Sequence, residues 1–490
     1  MKTVTIKNMR YVENTAFENG ISFEDMIISA GTSAGKIISK SLYGGETVLV
    51  LCGKGRNGSD GIVAGNYLQK RGHKVYLALP LGEPKDEICR KIIDEFAGDF
   101  ERADCNNFPA GIDVVIDAVF GIGFSGTLSD ELCTVFDAVN ELGAEIFSID
   151  IPSGVGTEHS LRATKTTAMF ALKPENIVYH TLCGEIEVAD IGVGDPKSYK
   201  VFEKYDVYSK EEIKKMLVTP SIAANKGNFG KVLTVCGSEN MVGASYFVNQ
   251  AAIEAGAGLV KAAFPDGLYL PLTSRLNECL FYPLEENSDG GISSKNTERL
   301  EQLLSDSTSV VVGPGMGNTS DTKAIVKFIV ENSTVPVILD ADALNALSGD
   351  VDILKHAKGK IIVTPHPGEM SRLNGMSIAE IQKNRIAVAV EFSKKYSVVT
   401  VLKGANTVIA DETGRIAINI TGNPGMARGG SGDVLAGIIA ALIKRTSSVY
   451  DAAAAGVFIH GLAGDIVMSE KGQISVTPTR LLSKIGEAMS

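Results

Sequence analysis

Residues 423–437, Asn423-Pro-Gly-Met-Ala-Arg-Gly-Gly-Ser-Gly-Asp433-Val-Leu-Ala-Gly437, join a loop of small residues to the start of an apolar segment. Gly429, Gly430, Ser431 and Gly432 leave their backbone N–H groups uncovered, and the run from Val434 predicts a buried helix that begins there. Uncovered N–H groups and the helix dipole both favour an anion at such an end. Asp433, in the first turn beside that anion, has the type and position of a base that deprotonates a hydroxyl about to attack phosphorus. Gly-Ser-Gly-Asp alone fits a plain loop with an Asp cap equally well. The preceding Asn423-Pro-Gly and the lack of β-branched side chains favour the anion site.

Further residues with chemical potential stand at the ends of apolar runs. Asn57 and Asp117 offer hard oxygens to a cation, and Asp150 stands where a substrate would lie. Asp60, Asp117 and Asp150 also suit turn or helix caps. Gly53-x-Gly55-x-x-Gly58 matches the dinucleotide fingerprint, but the next strand ends in Leu79-Pro80 where an ordinary NAD redox site needs an acid. Val312-Gly-Pro-Gly-Met-Gly317 offers close backbone approach to a ligand. Lys403, Gly404, Ala405, Asn406 and Thr407 suit a nucleotide phosphate or ribose, and Glu369 can reach magnesium through water. His366 is either a donor that orients a substrate or a plain polar lining residue, and Asp340 and Asp342 rank below Asp433 as caps or supports.

These residues need a scaffold of parallel strands. Residues 8–42 predict two helices broken at Gly20, with Ser22 as N-cap ahead of Glu24 and Asp25. Strands are predicted at 46–52, 74–79, 113–117 and 145–150, with a turn over 53–61 and a helix over 62–70, which makes a βαβ unit. Charged residues over 201–228 mark a seam, after which strands are predicted at 231–236, 309–312, 335–340, 360–364 and 397–402. The acidic strand ends then converge where open α/β sheets bind ligands. A chain of 490 residues exceeds a single core, and 52 glycines suit the tight turns of the α/β class. A formal charge of −11 argues against a nucleic-acid partner. The 7 cysteines form no Cys-x-x-Cys pair, which points to a reducing compartment, the cytoplasm. No apolar run reads as membrane-spanning and the N-terminus lacks a signal-peptide core, so no membrane is expected.

Gly-Lys-Gly-Arg-Asn57-Gly-Ser-Asp60-Gly, Val-Ile-Asp117-Ala-Val-Phe-Gly-Ile-Gly-Phe-Ser-Gly and Ser-Ile-Asp150-Ile-Pro-Ser153-Gly resemble the NAD(P)H-hydrate epimerase domain of the YjeF N-terminal family, over about residues 1–210. The resemblance implies a Rossmann-like three-layer parallel sheet and interconversion of the R and S forms of hydrated NAD(P)H. It implies a potassium ion held by Asn57, Asp117 and Ser153, and Asp150 as acid/base at the hydrated carbon. Substrate contacts are implied for Asn57, Gly58, Ser59 and Asp60, and for Gly121, Ile122, Gly123, Phe124, Ser125, Gly126 and Thr127. Arg56 and Ser59 depart from the usual pattern and leave Asn57 and Asp60 in place.

Residues 221–490 are similar to the ribokinase-like superfamily, and most to its ADP/ATP-dependent NAD(P)H-hydrate dehydratases. Pro365-His-Pro-Gly-Glu369, Gly-Pro-Gly-Met-Gly317, Lys403-Gly-Ala-Asn-Thr and Asn423-Pro-Gly-Met-Ala-Arg-Gly-Gly-Ser-Gly-Asp carry this likeness. It implies a ribokinase-like α/β domain in which Gly317 and His366 meet the substrate. Lys403, Gly404, Ala405, Asn406, Thr407, Gly429, Gly430, Ser431 and Gly432 meet ADP or ATP, and Glu369 meets Mg2+ through water. Asp433 would start phosphorylation of the hydrate's hydroxyl, after which phosphate leaves. The two halves together imply a bifunctional repair enzyme, and the family implies a homo-oligomer. The alternatives are a small-molecule kinase with a regulatory first half, or a silent scaffold. The motifs choose neither ADP over ATP nor NADH hydrate over NADPH hydrate.

Overall fold

The computed structural model describes the chain except residues 123, 125, 126, 219, 220, 222 and 224 and the side chain of Lys197. It divides into two compact units, Met1–Glu203 and Lys204–Ser490.

The first unit runs α1 (Ile6–Glu18), α2 (Phe23–Ser39), β1 (Thr47–Cys52), α3 (Arg56–Gln69), β2 (Lys74–Ala78), α4 (Glu87–Phe96), β3 (Glu101–Arg102), β4 (Val114–Ala118), α5 (Asp130–Glu141), β5 (Glu145–Ile149), β6 (Lys165–Met169) and β7 (Glu185–Ala189). Ser22 caps α2 in a full capping box with Asp25. The seven strands are parallel in the order β3-β2-β1-β4-β5-β6-β7, a Rossmann-like sheet. Alternate strand residues serve opposite layers. Val48, Val50, Val114 and Ile116 pack with α1, α2, α3 and α4, whereas Leu49, Leu51 and Val115 pack with α5.

The expected turn over 53–61 is corrected: α3 starts at Arg56, capped by Gly55. Gly, Ser and Asp there read as loop formers, but Gly61 lets the helix lie on the sheet, since a Cβ would come within 2.3 Å of the Ala118 Cβ. Strands β6 and β7 were not foreseen. Lys165-Thr-Thr and Glu185-Ile-Glu-Val put polar residues among the apolar ones, which hides a strand pattern.

The second unit contains β8 (Lys231–Val235), α6 (Val242–Glu254), β9 (Leu259–Pro265), β10 (Cys279–Leu284), β11 (Ser309–Val312), α7 (Ser320–Asn332), β12 (Val337–Leu339), β13 (Ile361–Val363), α8 (Pro367–Asn374), β14 (Val399–Leu402), β15 (Val408–Ala410), β16 (Ile416–Ile418), α9 (Ser431–Leu442) and α10 (Val449–Lys471). Its sheet order is β10-β9-β8-β11-β12-β13-β14-β15-β16. Strands β8 to β14 are parallel, and the β14–β15 and β15–β16 pairs are antiparallel. Val311, Ile338 and Ile362 face α6, α9 and α10, while Val310, Val312 and Leu339 face α7. β9, β10, β15 and β16 were not foreseen. Buried Lys261 in β9 bonds the Asp306 carbonyl at 2.7 Å, a long-range match that a strand pattern does not reveal.

One membrane expectation is corrected. α10 has 23 residues at mean hydropathy 1.5, long and apolar enough to span a bilayer, yet 67% of its apolar window is buried within the protein. It is the core helix under α9.

Candidate active sites

In the first sheet the strand order reverses between β1 and β4, and the loops after them diverge there into a crevice. A cavity of about 620 Å3 opens at this point. Its wall takes Glu13 from α1, Asn57 and Asp60 from α3, Gly121, Ile122 and Phe124 after β4, and Asp150, Met169 and Lys173 at the ends of β5 and β6. Gly58 and Ser59 are buried in the body of α3 and do not line the cavity, and Thr127 is exposed away from it. Gly123, Ser125 and Gly126 lie outside the described residues. Arg56, a departure from the family pattern, stacks its guanidinium on Phe23 at 3.8 Å and lies 3.6 Å from Glu13.

Asp150 is held in a strained backbone conformation. It holds φ +71, a region that costs a non-glycine residue about 1–3 kcal/mol and persists where neighbours fix it. Three neighbours fix it: Lys173 Nζ donates to its Oδ1 at 2.5 Å, Met169 N donates to the same oxygen at 3.2 Å, and Asn176 Nδ2 donates to its carbonyl at 2.9 Å. Lys173 is fully buried and also donates to the Met169 carbonyl at 2.5 Å. Sequence reading missed Lys173 because it missed β6, the strand that delivers it.

Asp117, Ser153 and Asn57 gather around the backbone of Phe120 and Gly121. Asp117 is fully buried and accepts from Ser148 Oγ at 2.8 Å, Ser153 N at 2.8 Å and Ser153 Oγ at 2.5 Å. Ser153 Oγ in turn accepts from Phe120 N at 2.9 Å, and a Cβ on Gly121 would lie 2.9 Å from Asn57 Oδ1. Burial pushes the Asp117 carboxyl above its ordinary range, opposed by the hydrogen bonds from Ser153 and Ser148. No described cation pairs with it. Hard oxygens around an uncompensated carboxylate fit a monovalent cation.

The second site lies at the strand ends of the other sheet. Gly430 caps α9 at φ +94, so Ser431, Gly432 and Asp433 form its first turn. Lys403, after β14, donates to Asp340 Oδ1 at 2.7 Å and lies 3.7 Å from Glu369 Oε2. A Cβ on Gly432 would sit 3.4 Å from Lys403 Nζ and 3.7 Å from Asp340 Oδ2, so the ammonium adjoins the start of α9. The Asp433 carboxyl is pushed up to about 7 by burial and by Asp340, against the lowering pull of Lys403. Asp340 was ranked as a support, yet it ties Lys403 and also accepts from Thr364 Oγ1 at 2.7 Å. Asp342 accepts from Gly317 N at 2.8 Å, which anchors the Gly313–Gly317 turn.

His366 caps α8. Its Nδ1 accepts from Gly368 N at 2.9 Å and Glu369 N at 3.3 Å, while Glu369 Oε2 accepts from His366 N at 2.7 Å. An accepting Nδ1 fixes the Nε2–H tautomer and leaves that proton as a donor. Burial, then Lys403, lowers the imidazole below its ordinary value and keeps it neutral. In the loop after β14, Thr407 Oγ1 donates to the Gly404 carbonyl at 3.0 Å, and the Asn406 Oδ1 is buried without a hydrogen-bond partner. Two residues of α10 escaped sequence reading. His460 Nε2 lies 3.3 Å from Ser431 Oγ, and Asp465 accepts from Gly422 N at 2.7 Å and Asn423 Nδ2 at 2.9 Å. Among the described residues no group of three or more His, Cys, Asp or Glu is arranged to hold a metal ion.

The comparisons with known proteins fall on these same two units. The model of the family described as YjeF-related protein N-terminus matches residues 24–175, and that described as NAD(P)H-hydrate dehydratase matches residues 232–487. A bifunctional NAD(P)H-hydrate repair enzyme of Moorella thermoacetica is 36% identical over 89% of this chain and 86% of its own. One of Thermofilum pendens is 33% identical over 100% of this chain and 96% of its own. The chain belongs to the family of bifunctional NAD(P)H-hydrate repair enzymes. Among solved structures, the ADP/ATP-dependent NAD(P)H-hydrate dehydratase of Bacillus subtilis, co-crystallised with ATP and Mg2+, covers 58% of this chain and 99% of its own at 26% identity and TM-score 0.50. A ribokinase-like superfamily protein of Enterococcus faecalis covers 59% and 96% at 25% identity and TM-score 0.51. The second unit of this repair enzyme is therefore ribokinase-like.

Gly430 offers a direct check of the expectation that an anion sits at the start of α9. A Cβ there would meet the Phe247 ring at 2.7 Å on a φ of +94. Gly430→Ala is expected to cost about 1–3 kcal/mol of stability, read as a lower Tm. Displacing the first turn is also expected to raise KM for the phosphoryl donor more than it lowers kcat.

Proposed function

We propose that residues 1–210 interconvert R and S hydrates of NAD(P)H and residues 221–490 dehydrate the S form with ADP or ATP. The observation that carries this reading is Asp433 in the first turn of α9, beside the Lys403–Asp340 pair, in a chain whose two units match the two halves of bifunctional repair enzymes. Asp433 takes the hydroxyl proton while that oxygen bonds to the terminal phosphorus of the donor. The phosphoanhydride bond breaks, and the shortened nucleotide leaves. The N–H groups of Gly429 to Gly432 and the Lys403 ammonium stabilise the charge on the phosphoryl oxygens. Phosphate then departs with the C–O electron pair, the neighbouring ring carbon gives up a proton, and the double bond of NAD(P)H returns. Phosphorylation has converted hydroxide into a good leaving group.

His366 Nε2–H and the Gly317 backbone are the substrate contacts in this reading, and the 403–407 loop meets the nucleotide. Mg2+, reached from Glu369 through water, would neutralise phosphate charge when bound. In the first unit K+ held by Asn57, Asp117 and Ser153 would compensate the buried carboxylate, and Asp150 acts at the hydrated carbon. A cytoplasmic homo-oligomer completes the proposal. The test is incubation of the chain with mixed hydrates, Mg2+ and either ADP or ATP, followed by near-UV absorbance of NAD(P)H. Recovery of the whole R plus S pool is expected; no recovery with either donor sinks the reading.

A further inference from the structure

The cavity of the first unit holds more acid–base chemistry than Asp150. Glu13 of α1 and Asp60 of α3 line its helical wall, and both also border a smaller apolar recess formed with Phe23, Met26 and Ile27. Asp150 and Lys173 line the wall made by the strand ends. The two walls differ in how their carboxyls are served. The Asp150 carboxylate receives an ammonium and a backbone N–H on Oδ1. No hydrogen bond from a described residue reaches the side chain of Asp60, and Glu13 has only Arg56, at 3.6 Å.

Inverting the hydrated carbon asks for such a pair. Hydrating an enamine double bond leaves the hydroxyl on the carbon bonded to the ring nitrogen. Inversion there proceeds when the nitrogen lone pair expels the hydroxyl as water, giving a planar iminium, and water returns to the other face. The first step needs an acid, the second a base, and the two act on opposite faces of one ring.

We propose that Asp60 is the acid that protonates the departing hydroxyl and Asp150 the base that deprotonates the returning water, each serving one face of the ring. This rests on the epimerase reading of the first unit. In the direction that starts with the hydroxyl on the Asp60 face, the Asp60 proton leaves in the expelled water, the C–O bond breaks, and the electron pair of nitrogen becomes the C=N bond. A water oxygen then bonds to carbon, its proton goes to Asp150, and the nitrogen regains its pair. One proton has moved from Asp60 to Asp150, and it returns through solvent or Glu13 before the next turnover in that direction. Which hydrate starts from the Asp60 face is set by how the ring is seated; the opposite direction runs the same steps backwards, with protonated Asp150 as the acid and the Asp60 carboxylate as the base, so both residues are necessary in both directions.

The electrostatics agree with this division of labour. Burial first, then Asp150 and Glu13, hold the Asp60 carboxyl well above the usual carboxylate range, and Arg56 and Lys173 only partly oppose them. Burial raises Glu13 as well, with Arg56 and Lys173 opposing and Asp150 adding. The charged groups around the cavity are Arg10 and Glu13 from α1, Lys54 and Arg56 around the start of α3, and Asp150 and Lys173 from the strand ends. A raised acid keeps its proton to higher pH than a free carboxyl and loses it as pH rises further.

The test uses the full chain with purified R hydrate and no nucleotide, so that only the R/S ratio changes, followed by chromatography. Asp60→Asn is expected to slow inversion in both directions by about 10²–10⁴-fold, with nucleotide-dependent dehydration of the S hydrate unchanged. Wild-type inversion is expected to fall on an alkaline limb, Asp60→Glu to keep activity with that limb displaced, and heavy-oxygen water to label the inverted product. Inversion by Asp60→Asn at the wild-type rate, an unmoved alkaline limb in Asp60→Glu, or retention of the original oxygen overturns the proposal. Failure of the wild-type chain to interconvert the hydrates overturns instead the epimerase reading on which it rests.

Discussion

Replacing Asp433 by asparagine is expected to lower dehydration about 10²–10⁴-fold while R/S interconversion by the first unit continues. The variant keeps the shape of the α9 start and removes only the ionisable carboxyl proposed as the base. Its pH dependence follows from the site. The wild-type carboxyl sits at about 7, raised by burial and Asp340. A base must be ionised, so kcat/KM for dehydration is expected to rise with pH through about 7 and then level off. Lys403→Met removes the cation that lowers this value, and the limb moves to higher pH.

Stability carries the opposite sign. A carboxyl raised in the fold binds its proton more tightly there than in the unfolded chain. Its contribution is fully present below the unfolded value and is lost as pH rises toward about 7, at roughly 1.4 kcal/mol per unit. Asparagine cannot ionise. Tm of Asp433→Asn is therefore expected to exceed wild type at about pH 8 and to converge with it near about pH 4. A variant with wild-type turnover removes Asp433 from the mechanism, and a lower Tm at alkaline pH contradicts the electrostatic account.

Lys173→Met is expected to abolish inversion and to cost about 3–5 kcal/mol, because it leaves the Asp150 carboxylate buried without its counter-charge. The double variant Lys173→Met with Asp150→Asn removes both charges. It is expected to regain most of the lost Tm, since a neutral amide is cheaper to bury than an unpaired ion, while inversion stays absent. Recovery of stability without activity separates the structural role of the pair from its chemical one. A single variant as stable as wild type shows that the pair does not hold the Asp150 backbone at its positive φ. Dehydration by the second unit is the control for each variant.

Much of both sites is legible because it obeys one positional rule. Asp117, Asp150 and Lys403 end or directly follow apolar strands, and Asn57 and Asp433 open helices. In a parallel sheet those positions share one edge, so a list of residues becomes a crevice without any coordinates. The rule also reached Asp340 but could not rank it. Its weight comes from the bond to Lys403, 63 residues away in sequence.

What escaped the sequence has physical reasons. Strands β6 and β9 carry polar residues that are satisfied inside the fold, Thr166 by the Cys183 carbonyl at 2.7 Å and Lys261 by Asp306. Neither shows the apolar periodicity by which strands are found. Lys173 was lost with β6. The early start of α3 was hidden because glycine and serine signal a loop locally, whereas here their small size is what permits contact with β1 and β4.

The sequence alone determined the α/β class, the small-residue start of α9 with Asp433 in its first turn, and the family resemblance of each half, because strand ends, helix starts and small-residue loops are written locally. Only the tertiary structure decided which carboxylates have partners. Lys173 occupies Asp150, Lys403 occupies Asp340, and Asp60 and Asp433 keep carboxyls that burial raises. The state of a carboxyl depends on the charges and dielectric around it, and those neighbours come from distant parts of the chain.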